Sequence, residues 1–253
     1  VDLKRYKAVL FDLDGVLTPT ADVHMRAWSD MFNAFLKSVH DRREKGLTVA
    51  GVSAEADLSP YLDDDYFHFV DGRPRYDGVR AFLSSRKIVL PEGEPDDSPD
   101  RETVCGLGNR KNDAFNDVLK RDGVAPYPGS LALLDALEGT GIHLAVVSSS
   151  ANAKAVLTAA GIIDRFEHVV DGLVARAEGL SGKPSPATYL RGAQLCGVTA
   201  AEAVVVEDAT SGVAAGRAGG FALILGVDRG AGAEALRAAG ADEVVADLAE
   251  VIP

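Results

Sequence analysis

The chain has 253 residues and a formal net charge of −12, from 38 acidic and 26 basic side chains. That length holds one large α/β domain or a core with a smaller companion, and 47% hydrophobic residues are enough to bury a real core. An acidic surface repels nucleic acid and anionic membrane, so neither is an expected partner, and a phosphate-bearing small molecule would need positive charge concentrated locally.

Cys105 and Cys196 form neither a disulfide framework nor a metal-ligand spacing, which fits a reducing compartment. The first residues lack a signal-peptide pattern, and no apolar run approaches the roughly 18 residues of a membrane span. The expectation is a cytoplasmic protein, most simply a monomer.

In chain order, an apolar run over 8–13 ends at Asp14-Gly15 and reads as a buried strand followed by a tight turn. Trp28, Met31, Phe32, Phe35 and Leu36 then fall on one helical face, as core packing requires. From about 41 to 122 the texture is charged and irregular, with helical stretches near 79–85 and 111–119 and acidic, loop-like runs at 63–65 and 92–100. A solvated acidic loop is the ordinary reading of such runs. After Pro126 and Pro128 the alternation becomes regular: helix 130–137, strand 143–147, helix 152–160, strand 168–170, helix 186–195, strand 203–206, helix 211–218, strand 221–225, helix 234–239 and strand 243–245. Such order predicts an α/β fold with a doubly wound parallel sheet. The first strand precedes the irregular region, which is therefore an inserted, mostly α-helical domain over 21–125, with the core built from 1–20 and 126–253.

In such sheets the chemistry lies beyond the carboxyl ends of the strands. Asp12 and Asp14 follow the first strand, Ser148, Ser149 and Ser150 the second, and Glu207 and Asp208 the strand at 203, while Gly182-Lys183-Pro184 lies between later elements. Crowded carboxylates need a cation, and hard oxygen donors suit Mg²⁺. A cation, a lysine and a hydroxyl around an aspartate make a receptor for a phosphoryl group that the aspartate can attack. Each piece has a plainer reading: Asp-x-Asp-Gly as a turn, Lys183 as a surface residue at a helix start, the serines and Glu207-Asp208 as helix caps. Four such pieces in order, each beyond a strand, favour one site.

Phe11-Asp12-Leu13-Asp14-Gly15-Val16-Leu17-Thr18 resembles the opening motif of the haloacid dehalogenase-like hydrolases. Val147-Ser148-Ser149-Ser150, Gly182-Lys183-Pro184 and Val206-Glu207-Asp208 resemble their second, third and fourth motifs, and Ser211-Gly212 to Ala218-Gly219 is typical of one branch. Within that superfamily the chain is most similar to the β-phosphoglucomutase group, through Thr20, His24, Arg26, Ala27 and Trp28, through Asn152, and through Arg110-Lys111-Asn112-Asp113.

The resemblance implies a helical cap on a Rossmann-like core and a Mg²⁺-dependent enzyme working through an aspartyl-phosphate. Asp12 would be the nucleophile and Asp14 the acid and base. Asp12, the Asp14 carbonyl, Asp208 and Glu207 would hold the metal. Ser148 and Lys183 would bind the transferring phosphoryl group, with Ser149, Asn152 and Lys111 nearby. Arg75, in the segment Val70-Asp71-Gly72-Arg73-Pro74-Arg75, stands at that group's cap phosphate site, with Gly72 in the same loop; His24 and Thr20 lie near the hinge.

Pro19 and Asp71 depart from the group's pattern, at positions where Asp and Lys are usual; both bear on substrate choice. The implied substrate is a sugar phosphate, with a sugar bisphosphate intermediate if the enzyme is a mutase. The core motifs serve a sugar phosphatase equally well. A third reading, a nucleotide-binding module, rests only on the partial fingerprint Gly230-x-Gly232-x-x-Ala235.

Overall fold

A computed structural model describes residues 2–252. The chain forms two compact units, one of Val1–Ala21, Gly72–Pro74 and Gly123–Pro253, the other of Asp22–Asp71 and Arg75–Asp122. In chain order the regular elements are β1 (Ala8–Phe11), α1 (Thr20–Glu44), a single turn α2 (Asp63–Asp65) running into a π-helical turn (Tyr66–Val70), α3 (Arg75–Ser85) and α4 (Val104–Asp122). Then come α5 (Pro128–Leu137), β2 (His143–Val147), α6 (Ala153–Ala159), β3 (His168–Val170), α7 (Gly172–Ala177), α8 (Ala187–Leu195), β4 (Ala203–Glu207), α9 (Thr210–Ala218), β5 (Leu223–Val227), α10 (Ala233–Ala239) and β6 (Glu243–Val245).

The first unit is an α/β core. Its six strands lie in the order β3-β2-β1-β4-β5-β6, and every pairing is parallel. All four residues of β1 are buried, as a strand covered on both faces must be. Ala8 and Leu10 point into one apolar cluster with Tyr189 and Ala193 of α8, Val213 and Ala215 of α9 and Leu236 of α10. Alternation along the strand sends Val9 and Phe11 to the opposite face. From β1 the strands are added outward through β2 and β3 on one side and then through β4, β5 and β6 on the other, so the order of addition reverses between β1 and β4. Phe11 pairs with Val206 there, which sets Asp12 and Glu207 side by side at the carboxyl edge.

The second unit is helical, built around aromatic side chains. Trp28, Met31, Phe32, Phe35 and Leu36 of α1 are all buried, with Tyr61, Phe82 and Leu107 in the same cluster. Phe32 stacks on Trp28 and Tyr61, with centroids 5.3 and 5.2 Å away, and lies 4.1 Å from Phe82. Geometries of this kind add about 0.5–1.5 kcal/mol per pair beyond area burial.

In the acidic run at 63–65, Asp63 and Asp64 are exposed as expected, but the run is a helical turn rather than a loop and Asp65 is half-buried. Asp65 accepts the Leu62 N–H at 2.9 Å and pairs with the buried Arg86 guanidinium at 2.9 Å, and Arg86 also holds Asp57 at 2.7 Å. The cation that meets these carboxylates is the chain's own arginine. The segment 92–100 contains no helix or strand. It is organised by the buried Asp97, which accepts from Thr103 Oγ at 2.6 Å, the Glu94 N–H and Arg101. Gly72–Pro74, which the sequence reading assigns to the insert, groups with the core. The Gly72 carbonyl accepts from Ser149 Oγ at 2.8 Å, and Gly182 lies so close to Pro74 that a Cβ there would collide with its ring.

Candidate active site

The site grows from the carboxyl ends of β1, β2 and β4. Asp12 directly follows β1, and its N–H continues the ladder by donating to the Val206 carbonyl at 2.9 Å. Its carboxylate accepts a hydrogen bond from Lys183 Nζ, which also donates to Glu207 Oε1 at 2.5 Å and to the Val147 carbonyl at 3.1 Å. All three ammonium donors are therefore used. Asp12, Lys183 and Glu207 are 7%, 3% and 0% exposed, which rules out the plainer reading of Lys183 as a surface residue. The Lys183–Pro184 peptide is cis.

Glu207 is held from three sides: Lys183 and Tyr189 Oη (2.8 Å) donate to Oε1, and the Ala209 N–H donates to Oε2 at 3.1 Å. Gly212 leaves room for that carboxylate, since a Cβ there would overlap it. Asp208 lies against the Asp14–Gly15 turn in the same way. Gly15, at φ +83°, has its α-carbon so near the Asp208 carboxylate that any side chain would collide with it. Asp12, Glu207 and Asp208 bring ligand oxygens within 4.8 Å of one another. Asp14 is half-buried, and Thr20 Oγ donates to its Oδ1 while meeting Thr18 Oγ at 2.8 Å.

The electrostatics follow from burial. Desolvation holds the Asp12 carboxyl well above the usual 3.8; Lys183 pulls it down, while Glu207 and Asp14 push it up. Burial acts to lower the Lys183 ammonium, but Asp12 and Glu207 more than offset this and raise it, so it stays charged. Burial and Glu207 raise the Tyr189 hydroxyl, so it remains a donor. One ammonium thus faces three clustered carboxylates. The uncompensated negative charge and the hard oxygen donors suit a divalent cation.

Ser148 is buried, and its Oγ accepts the Ser150 N–H at 3.0 Å, while Ser150 Oγ accepts the Asn152 N–H at 3.1 Å. The serines therefore also shape the turn into α6. Ser149 binds the Gly72 carbonyl. In the helical unit, Lys111 is buried and hydrogen-bonds His24 Nδ1, over the rings of Trp28 and Phe115 at 5.0 and 5.3 Å. His24 stacks on Phe115 with centroids 4.0 Å apart. Arg75 begins α3 beside the Tyr76 ring and reaches Asn109 Oδ1 at 3.5 Å.

Residues 6–220 match the family model for haloacid dehalogenase-like hydrolases. The chain belongs to the haloacid dehalogenase-like hydrolases. Among its relatives, a β-phosphoglucomutase of Mycobacterium bovis is 49% identical over 98% of this chain and 92% of its own length. Hexitol phosphatase A of Escherichia coli is 30% identical over 87% of this chain and 82% of its own. In fold, the chain is similar to the crystal structure of a β-phosphoglucomutase from Clostridium difficile, with a TM-score of 0.72, 23% identity and coverage of 97% and 93% of the two chains.

In this haloacid dehalogenase-like chain the sequence motifs do not include Tyr189. It lies on α8, fully buried, and holds Glu207, but neither its residue type nor its spacing from Lys183 marks it in the sequence. The partial dinucleotide fingerprint is a turn: Asp228 Oδ1 accepts the N–H groups of Gly230 and Gly232 at 3.1 Å each, just before α10. Among the described residues no helix is long and apolar enough to cross a membrane.

Proposed function

We propose that this protein is a β-phosphoglucomutase-type sugar phosphomutase, interconverting β-glucose 1-phosphate and glucose 6-phosphate through a phosphorylated Asp12. The observation that carries the reading is the buried Asp12–Lys183–Glu207 group beside Asp208 at the reversal point of the sheet. The 49% identity to the Mycobacterium bovis relative supports the mutase assignment.

Asp12, the Asp14 carbonyl and Asp208, with Glu207 alongside, are the residues that would hold Mg²⁺, which when bound supplies positive charge to the oxygens of the transferring phosphoryl group. Asp12 Oδ attacks phosphorus of a sugar bisphosphate. The bond from phosphorus to the sugar oxygen breaks, and Asp14 delivers a proton to that oxygen. In the second half, a hydroxyl of the monophosphate gives its proton to Asp14 and takes the phosphoryl group from Asp12. Lys183 and Ser148 stabilise the phosphoryl oxygens, with Ser149 and Asn152 beside them. The phosphate that is not transferred is assigned to the helical unit, to Arg75, whose planar fork suits it, with Lys111 and His24 in the same unit.

A phosphatase reading uses the same core groups with water as acceptor, and the 30% identity to hexitol phosphatase A supports it. Purified protein with Mg²⁺, β-glucose 1-phosphate and a catalytic amount of β-glucose 1,6-bisphosphate should form glucose 6-phosphate, and Asp12→Asn should form none. Phosphate release without isomerised sugar would overturn the mutase reading in favour of the phosphatase.

A further inference from the structure

Arg229 lies just past β5, far in sequence from every motif, yet it reaches the Asp14–Gly15 turn. Its Nε donates to the Gly15 carbonyl at 3.1 Å, one terminal nitrogen donates to the Ala246 carbonyl at 3.1 Å, and the other meets Asp247 Oδ2 at 3.3 Å. The guanidinium carbon sits 3.9 Å from the centre of the Tyr127 ring. Tyr127 in turn donates its N–H to the Leu17 carbonyl at 2.9 Å, and the Gly15 N–H donates to the Thr18 carbonyl at 2.8 Å. The turn is therefore gripped at its amide by Thr18, at its carbonyl by Arg229 and one step further along by Tyr127.

We infer that Arg229 is a positioning residue for the catalytic turn. Arg229 fixes the Gly15–Val16 peptide through its carbonyl, and the Gly15 N–H bond to Thr18 fixes the preceding peptide, whose carbonyl belongs to Asp14; together they hold the turn that aims the Asp14 side chain. The inference rests on the role proposed above for that turn. Gly15 makes the point sharper, because its φ of +83° and its contact with Asp208 leave that residue no side chain with which to anchor itself. Asp247 neutralises the guanidinium locally, so Arg229 acts through backbone geometry rather than through its charge. The task suits arginine: a flat guanidinium reaches three acceptors in its own plane while its face stacks on an aromatic ring, a geometry that a lysine ammonium does not reproduce.

The test uses Arg229→Lys in the intact chain, with three readouts: the melting temperature, calorimetric binding of Mg²⁺ alone, and kcat and KM in the primed mutase assay. A misplaced turn should lower kcat on the order of tenfold or more and weaken Mg²⁺ binding several-fold, while KM moves much less. Wild-type kcat and wild-type Mg²⁺ affinity, measured below the variant's melting temperature, would overturn the inference whatever the loss of stability, since a staple for the C-terminal segment would do only that. If Arg229→Lys does not fold, Tyr127→Leu, which removes the stacking face, is judged by the same criterion. Asp12→Asn runs alongside: if it keeps wild-type turnover, the proposed function fails instead of this inference.

Discussion

The two units bury charge for different ends. In the core, Asp12, Lys183 and Glu207 are packed together at the edge of a sheet of small aliphatic side chains, with more negative charge than one lysine can match. In the helical unit, Arg86 sits against the Phe82 ring and pairs with Asp65, one buried charge to one, while its second partner Asp57 is more than half exposed to solvent, so the buried charges balance and the group ties a loop to the end of α3. A buried charge group left out of balance marks chemistry, and a balanced one marks architecture.

The aromatic cluster should be the most sensitive point of the helical unit. Phe32 is fully buried among three other rings, and Phe32→Ala should cost about 3–5 kcal/mol in denaturant unfolding followed through Trp28, the sole tryptophan. Arg86→Met should come next. It leaves Asp65 without its cation, and because Asp57 is more than half exposed the expected loss is about 2–3 kcal/mol, with kcat unchanged where the variant is folded. A fall in kcat without a fall in stability would break the contrast between the units.

The smallest effect, and the one that sharpens the contrast most, is the response to pH. Ser59 and Arg86 hold the Asp57 carboxyl down to about 2, below its usual 3.8. Its stabilising contribution is therefore full above about pH 3.8 and is lost as pH falls through 2. Asp12 has the opposite sign: its folded value lies above 3.8, so the stability linked to it is full below that pH and is lost as pH rises through the folded value. With a chelator present, Asp12→Asn should melt higher than wild type near neutral pH and lose that advantage on acidification, while Asp57→Asn should melt lower near neutral pH and converge with wild type in acid. Equal slopes for the two variants would contradict this account.

Much of the core was legible in the sequence for a physical reason. In a doubly wound sheet the ends of the strands converge, so Asp12, Lys183, Glu207 and Asp208 could be grouped before any distance was known, and they meet within hydrogen-bond or ligand reach. The helical unit obeys no such rule beyond the face of α1. The role of Asp65 within the otherwise exposed run at 63–65 is not legible because nothing local points to Arg86, and Gly72–Pro74 reads as insert because its partners Ser149 and Gly182 are distant in sequence. Short α7 passed unnoticed between two loops, and it starts on an Asp171 cap whose Oδ1 accepts two backbone N–H groups. Tyr189 and Arg229 were hidden for the same reason as the loop partners: each acts through one long-range contact that no spacing announces.

The central claim is that Asp12 becomes covalently phosphorylated. Protein incubated with Mg²⁺ and radiolabelled glucose bisphosphate, then quenched in acid, should carry a phosphoryl label that hydroxylamine releases and that maps to the peptide containing Asp12, and Asp12→Asn should carry none. Label of the same yield on Asp12→Asn, or turnover by the wild type with no label at any time, would contradict it.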